Sequence, residues 1–201
     1  MRAQLIEFQT GKGLPKEAFE QIAPTVTEGR LVVFPTEVSY VVGGDAFNQP
    51  LVNRVRALRQ DVPMALYISS ITEFRLYAVP VLPRLRRALE RCVPGPYGVI
   101  VRATQAAPRT CVSSAGTIEI HMPASQSYQM FYEASGRPLV GVSLALVRRE
   151  DVLAKFGEQA DLIVLTNEPM SPQNYALLDF TQDPPQAVQG ELPKWLSPLY
   201  S

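Results

Sequence analysis

The stretch VFPTEVSYVVG, residues 33–43, decides the predicted fold, because it joins an apolar run to a Pro-Thr turn and then to small residues. The apolar residues 31–34 predict a buried strand, since short β-branched and aromatic runs bounded by turn residues favour strands. A strand end that brings the Thr36 hydroxyl, backbone amides and the Tyr40 ring to one sheet edge suits a small polar ligand. A buried strand and turn without a ligand explains the same residues, so this stretch alone leaves both interpretations open.

Strand-like and helix-like runs alternate on both sides of this stretch. Residues 15–28 predict a first helix that ends at Gly29, and Pro24 is expected to strain or break it. Further helices are predicted at 49–59, 83–92, 126–134 and 151–156, and further strands at 65–68, 98–101, 117–122, 139–142, 162–165 and 176–180. This alternation predicts an α/β fold in which helices pack on a largely parallel or mixed sheet.

Length and composition predict one ordinary globular domain. A chain of 201 residues is long enough for one well-buried core and short for two, so we expect a single domain over residues 1–201. Apolar residues make up 46% and charged residues 19%, which argues against disorder and fibrous repeats. Residues 181–201 have no clear periodicity and are predicted to form a C-terminal lid or packing arm.

Charge and cysteine usage narrow the class of function. The formal net charge is zero, so no global field attracts nucleic acid and any RNA contact needs a local patch. Cys92 and Cys111 have no CxxC spacing, and neither a zinc site nor a disulfide is predicted. No segment approaches the ~20 apolar residues of a membrane span. We therefore expect a cytoplasmic protein with reduced thiols and no membrane partner.

Several segments resemble, in chain order, those of the YrdC/YciO-type threonylcarbamoyl-AMP synthase family. Residues 35–43 are similar to the family's PTET-x-YGLG segment, and residues 55–60, VRALRQ, to its helix ending in Lys-x-Arg. The remaining matches are Pro94-Gly95-Pro96 with a PGP turn, TIEIHMP at 117–123 with a strand ending Arg-x-Pro, and GRPLVGVS at 136–143 with Gly-x-Pro-Leu-x-Ser-x-Ser. The chain is identified as a divergent member, nearer the YciO-like branch, which carries similar Arg-Gln and Ser-Leu sequences.

The resemblance implies a YrdC-like twisted mixed sheet with flanking helices around a concave, positively lined ligand cavity. It also implies the reaction of ATP, L-threonine and bicarbonate to threonylcarbamoyl-AMP and pyrophosphate, for tRNA N6-threonylcarbamoyladenosine modification. Mg²⁺ is expected as the counter-ion of ATP, with no metal site formed by the protein. The resemblance places Thr36, Tyr40, Arg59, His121 and Ser143 in this cavity as ligand-binding residues, whereas no catalytic residue is assigned.

Other positions depart from the family pattern, and most of them remove cations or hydrogen-bond donors. Arg59 stands at the motif lysine and keeps the charge in a different geometry, whereas the second cation has no equivalent, because either Asp61 stands there or one residue is missing. His121 replaces an arginine, so a permanently charged guanidinium gives way to an imidazole. The further departures are Ser69 for a histidine, Gly98 for a threonine, and Gly141, Leu144 and Ala145 in the Ser-x-Ser-Ala-Asn element.

Two functional hypotheses follow from these departures. The first is an active threonylcarbamoyl-AMP synthase, and the alternative is a catalytically weak or inactive protein that binds ATP, AMP or RNA. Loss of one preorganised donor typically costs about 2.7 to 4 kcal/mol of transition-state stabilisation, which favours altered or absent catalysis. Arg59 and Thr36 nevertheless predict residual binding of ATP or AMP.

Two further patterns were weighed. Arginines 84, 86, 87 and 91 form either a solvated helix face or an RNA phosphate patch, and the short length of the patch favours the former. Ser143 lacks the final glycine of a Gly-x-Ser-x-Gly nucleophile elbow, and His121 is the only histidine in the chain. A serine hydrolase is therefore not favoured.

Overall fold

A computed structural model describes residues 2–58 and 63–196 of the chain. Arg59 and Asp61, on which the phosphate predictions depend, lie outside the described residues. Within the described part, no helix is both long and apolar enough to cross a membrane.

The described residues form one ten-stranded mixed sheet with helices on its faces, which confirms the predicted fold class. The strands are β1 Gln4–Phe8, β2 Val32–Pro35, β3 Tyr40–Asp45, β4 Ala65–Tyr67, β5 Tyr97–Arg102, β6 Thr117–His121, β7 Leu139–Ser143, β8 Leu162–Thr166, β9 Ala176–Asp179 and β10 Gln186–Gln189. The helices are α1 Lys16–Thr27, α2 Gln49–Leu58, α3 Ile71–Tyr77, α4 Pro83–Cys92, α5 Gln126–Ser135 and α6 Arg149–Phe156. The order of the strands across the sheet is β1-β8-β2-β3-β7-β4-β6-β5-β9-β10.

Most of the predicted elements are found within one or two residues of their expected ends. The effect of Pro24 on helix α1 differs from the prediction. Helix α1 continues through Pro24 to Thr27, so the proline does not break the helix, which was one of its two predicted effects. Ile22 and Val26, on either side of it, are fully buried in the core. Burial of this apolar face offsets the hydrogen bond that proline cannot donate, because helices in proteins are stabilised mainly by packing.

Four elements, β1, β3, α3 and β10, were not predicted as strands or helices. Ser70 is the N-cap of helix α3; its Oγ accepts a hydrogen bond from the Glu73 amide at 3.2 Å and donates one to Glu73 Oε2 at 3.0 Å. This Ser-x-x-Glu capping box is a sequence signal that predicts the helix start. Strands β1 and β10 lie at the two ends of the strand order and are mostly exposed, so their apolar patterns are weak.

The two faces of the sheet are covered by different helices. Phe34 and Val41 point towards α1 and α5, and the Phe34 ring stacks on Phe131 with centroids 5.3 Å apart. Val33 and Val42 point to the opposite face and pack with α2 and α6. This alternation follows from the two-residue period of a strand and places the cavity described below on the α5 face.

Candidate ligand-binding site

A cavity of about 530 Å³ lies on the α5 face of the sheet. Alternate strand residues form its floor, namely Val41, Ala65, Tyr67, Glu119, His121, Gly141, Ser143 and Leu177. The turn at residues 36–39 forms one wall, while Tyr175 and the β10 residues Val188 and Gln189 close another side. The cavity volume falls in the range of small-molecule sites.

Thr36 lines this cavity, but its hydroxyl is used within its own turn. Thr36 Oγ1 donates to the Ser39 carbonyl at 2.8 Å and accepts hydrogen bonds from the Val38 and Ser39 amides at 3.3 and 3.2 Å. A hydroxyl has a single proton to donate, and here a backbone oxygen takes it. The local role of Thr36 is therefore to hold the turn in shape.

Ser143 also lines the cavity and is exposed. Its Oγ lies 2.8 Å from the Ser39 Oγ, so the two hydroxyls share one hydrogen bond. The Ala145 amide, two residues on, contacts Ser143 Oγ at 3.4 Å. Of the predicted site residues, Thr36, His121 and Ser143 are brought together around this cavity.

Tyr40 does not line the cavity, which corrects its expected position. Its side chain is 1% exposed within the core on the opposite face, and its hydroxyl accepts a hydrogen bond from the Thr166 amide at 3.3 Å. Burial raises the pKa of the Tyr40 hydroxyl. Ser39 and Val41 face the cavity, so the residue between them must point the other way in an extended strand.

His121 lies in the cavity floor between two tyrosine rings. Its ring centroid is 4.8 Å from that of Tyr67 and 5.9 Å from that of Tyr175, and the second pair is nearly parallel at 7°. His121 Nε2 donates to Glu119 Oε1 at 2.7 Å, since a carboxylate only accepts. The imidazole is 7% exposed and therefore has little freedom to turn.

Sequence reasoning missed Glu119, Tyr67 and Tyr175 as cavity residues. Glu119 precedes His121 by two positions in β6, so the strand period alone places both side chains on one face. Tyr67 ends β4, which pairs with β6 such that Tyr67 lies beside His121. Tyr175 comes from the loop before β9, and no sequence pattern marks it.

The lack of a side chain at Gly98 leaves room for the His121 imidazole in the cavity floor. It lies directly across from His121 in the β5–β6 pairing. A Cβ at Gly98 would lie 2.8 Å from His121 Nε2 and 2.8 Å from Leu177 Cδ1, which is closer than Cβ atoms come to other heavy atoms in proteins. Two departures from the family pattern, at positions 98 and 121, are thus sterically coupled in this structure.

Glu37 supplies a second carboxylate to the cavity. Its Oε1 accepts a hydrogen bond from the Ala124 amide at 2.9 Å, whereas Oε2 is buried without a partner among the described residues. Burial raises the pKa of the Tyr67 hydroxyl well above its ordinary value, and the charges of Glu119 and Glu37 raise it further. Both carboxylates therefore act on the same hydroxyl.

The charge of the cavity differs from the positive lining that the resemblance implies. Its ionisable side chains in the described part of the chain, tyrosines aside, are Glu37, Glu119 and His121, with no lysine or arginine. The described lining is thus acidic, whereas Arg59, the permanent cation that the resemblance places in the cavity, lies outside the described residues. Over residues 2–58 and 63–196, no group of three or more His, Cys, Asp or Glu side chains is placed to hold a metal ion.

Two other positions predicted to bear on function have local partners. Ser69, at the family's histidine position, donates from its amide and hydroxyl to Glu73 Oε2 at 3.2 and 3.4 Å and is not a cavity residue. In the arginine-rich helix α4, Arg84 forms an ion pair with Asp183 and the Arg91 guanidinium lies 4.4 Å over the Trp195 ring. Both arginines thus attach the C-terminal segment, which does not favour an RNA patch.

Comparisons with known proteins agree with this architecture. Two solved structures superpose closely. The structure of Pyrococcus abyssi Sua5 complexed with L-threonine has a TM-score of 0.82 at 22% identity over 97% of this chain and 60% of that one. The crystal structure of Escherichia coli YciO has a TM-score of 0.80 at 24% identity over 94% and 95% of the two chains.

Curated sequences show the same two relatives. The threonylcarbamoyl-AMP synthase of Pyrococcus abyssi is 25% identical over 178 residues, and YciO of Escherichia coli K12 is 25% identical over 181 residues. These alignments cover 84% of this chain in each case, but 52% of the synthase against 86% of YciO. The chain therefore spans about half the length of the synthase that it matches.

A family model covers most of the chain. The Sua5/YciO/YrdC model, described as "Telomere recombination", matches residues 25–189. This range contains the ligand cavity and strands β2 to β10. The chain belongs to the Sua5/YciO/YrdC family.

Proposed function

We propose that this chain binds a small amino-group-bearing molecule, such as an amino acid, in the cavity and has little or no threonylcarbamoyl-AMP synthase activity. The observation that carries the proposal is the acidic lining by Glu37 and Glu119 in a cavity of about 530 Å³. A ligand ammonium group supplies the donors that such carboxylates accept. The complex of Pyrococcus abyssi Sua5 with L-threonine supports an amino acid as the ligand class in this fold.

Weak synthase activity follows from the demands of adenylation. Attack on the α-phosphate of ATP develops negative charge, which enzymes stabilise with cations and preorganised donors. The described lining provides two carboxylates and a histidine that already donates to one of them. The described lining therefore supplies neither a lysine nor an arginine to the charge that develops on the phosphate.

A direct assay tests this proposal. The purified chain is incubated with ATP, Mg²⁺, bicarbonate and L-threonine, and pyrophosphate and threonylcarbamoyl-AMP are measured beside the Pyrococcus abyssi enzyme. We expect a rate at least about 100-fold lower, since one missing donor already lowers rates by about that factor. L-Threonine binding is measured in parallel by calorimetry. Equal turnover, or no threonine binding to folded protein, contradicts the proposal.

Nucleotide binding through Arg59 remains a separate prediction. Pro63, the first described residue after position 62, lines the cavity. We expect Arg59→Ala to weaken binding of ATP or AMP, because it removes a permanent charge, while Arg87→Ala on the exposed face of α4 serves as the matched control. Equal nucleotide affinity of the wild type and Arg59→Ala contradicts this prediction.

A further inference from the structure

We infer that His121 recognises the ligand as a hydrogen-bond acceptor. Its Nδ1 accepts an N–H of the ligand's amino group, while its Nε2 stays bound to Glu119. The inference deepens the proposed function and rests on the cavity binding a molecule with an amino group. It names the atom of this chain that receives that group.

The tautomer of the imidazole follows from its partner. Glu119 Oε1 lies 2.7 Å from His121 Nε2, and because an ionised carboxylate has no hydrogen to donate, the proton of this hydrogen bond belongs to Nε2. In the neutral imidazole the other ring nitrogen then carries a lone pair. The contact with Glu119 thus makes Nδ1 an acceptor.

Packing holds the ring in this orientation. The rings of Tyr67 and Tyr175 stack on the imidazole with centroids 4.8 and 5.9 Å away and interplanar angles of 25° and 7°. A half-turn of the imidazole about its Cβ–Cγ bond would place carbon atoms where the nitrogens now lie and would lose the hydrogen bond to Glu119. Nδ1 is therefore in place before a ligand arrives, which saves the cost of ordering it on binding.

Nδ1 of His121 is left for a ligand. Over residues 2–58 and 63–196, the buried side-chain oxygen and nitrogen atoms without a hydrogen bond are Glu37 Oε2 and Ser125 Oγ. Nδ1 makes no hydrogen bond to the described residues either, yet it does not belong to these buried atoms, so it is accessible. Because His121 lines the cavity, this accessible atom opens to the cavity.

An acceptor at this position reverses the polarity of the contact with the ligand. An arginine, which the resemblance places here, only donates and therefore meets oxygen atoms of a ligand. The neutral imidazole offers a lone pair and meets an N–H instead. His121 is thus a specificity-determining residue for the amino group, independently of the overall charge of the ligand.

Nitrogen NMR of the imidazole tests the acceptor role directly. His121 is the only histidine in the chain, so the ring signals of protein labelled with isotopic histidine belong to this residue alone. In mildly alkaline buffer we expect a proton on Nε2 and none on Nδ1. Saturation with L-threonine, or with L-2-aminobutanoate, which lacks the hydroxyl, should move the Nδ1 signal as a new hydrogen bond forms. 3-Hydroxybutanoate, which lacks the amino group, should leave the signal in place.

Two amide variants of His121 separate ligand recognition from support of Glu119. The amide of asparagine lies as many bonds from Cα as Nδ1 does, whereas the amide of glutamine lies as many bonds away as Nε2. His121→Asn therefore retains an acceptor near the Nδ1 position, and His121→Gln retains a donor to Glu119. By calorimetry, His121→Gln should weaken L-threonine binding by about tenfold, and His121→Asn should bind it at least about threefold more tightly than His121→Gln does. Circular dichroism shows whether both variants are folded, and NMR of the wild type decides if one is not.

The outcomes separate this inference from the proposed function. A protonated Nδ1 in the free protein, or an Nδ1 signal that does not move when L-threonine saturates the protein, overturns the inference and leaves the proposed function standing. A signal that moves with 3-hydroxybutanoate assigns the contact to another group and overturns the inference as well. Tighter L-threonine binding by folded His121→Gln than by folded His121→Asn does the same, because it assigns His121 only to the support of Glu119. No binding of either amino acid to the folded protein overturns both.

Discussion

Two glycines in the same sheet are required for different reasons, and the contrast separates the framework of this protein from its site. A Cβ at Gly43 in β3 would lie 1.9 Å from the Val140 carbonyl oxygen in β7, which is backbone. A Cβ at Gly98 in β5 would instead meet the His121 and Leu177 side chains at 2.8 Å. The β3–β7 region therefore constrains the fold itself, whereas the β5–β6 region constrains the identity of the cavity side chains.

The largest effect is expected for Gly43→Ala. The obstructing atom is a backbone oxygen between paired strands, so relief requires a shift of the sheet, and we expect a loss of about 3 kcal/mol or more in the free energy of unfolding. Urea unfolding measures the loss. A change below about 1 kcal/mol would show that β3 and β7 separate easily.

Two buried thiols, Cys92 and Cys111, report on the β5 side of this comparison. Both belong to the core cluster that contains the β5 residues Val99 and Val101. Burial raises the pKa of Cys92 to about 12 and that of Cys111 to about 11. The unfolded thiols ionise from about pH 8.5 while the native ones stay protonated, so the free energy of unfolding falls as the pH rises towards 11.

The expected fall is about 1.4 kcal/mol per thiol for each pH unit above ~8.5. Urea unfolding at pH 8 and pH 9.5 measures it, and Cys92→Ala is the control that should reduce the difference by roughly half. An identical difference in the wild type and Cys92→Ala would contradict the assignment to the thiols.

A double-mutant cycle on Gly98 and His121 tests whether the steric constraint at Gly98 comes from the His121 side chain. Gly98→Ala alone is expected to lower the free energy of unfolding by roughly 1 to 3 kcal/mol through overpacking. Because the crowded atom belongs to a side chain, the loss should be smaller in a His121→Ala background, with a coupling of about 0.5 to 3 kcal/mol. Rescue should be partial, since Leu177 Cδ1 remains close. Strict additivity would argue against the steric pair.

The smallest effect is expected for Tyr40→Phe, which compares the two faces of β3. Loss of the hydrogen bond from the Thr166 amide should lower the free energy of unfolding by about 1 kcal/mol. Affinity for the cavity ligand should not change, because Tyr40 lies on the opposite face. Thermal unfolding and calorimetry on the same variant check both statements, and a marked loss of affinity would place Tyr40 back in the site.

The candidate site was predicted only in part, and each miss has a physical cause. Thr36, His121 and Ser143 were expected in the cavity and line it, whereas Tyr40 does not. The position of Tyr40 was predicted from the resemblance alone. Side chains alternate between the two faces of a strand, so Tyr40 points away from the face to which Ser39 and Val41 point. The predicted binding roles of the three cavity residues, and of Arg59 outside the described part, remain predictions.

The sequence by itself determined the fold class and most elements. Helix α4 was predicted at its observed bounds, and five motif segments in family order predicted the mixed sheet. Such features depend on local propensity and on the alternation of apolar residues, which one chain displays directly. Of the two cavity carboxylates, only Glu119 could be placed on the cavity face from the sequence, because it precedes His121 by two positions in one strand.

Only the tertiary structure decided which distant residues meet. Gly98 and His121 are opposite each other because β5 and β6 pair in one antiparallel register, and Tyr175 reaches the imidazole from a loop before β9. Glu37 and Glu119 line the same cavity although they lie far apart in the chain. Strand register and crossover connections set these contacts through the packing of the whole sheet, and no local sequence pattern encodes them.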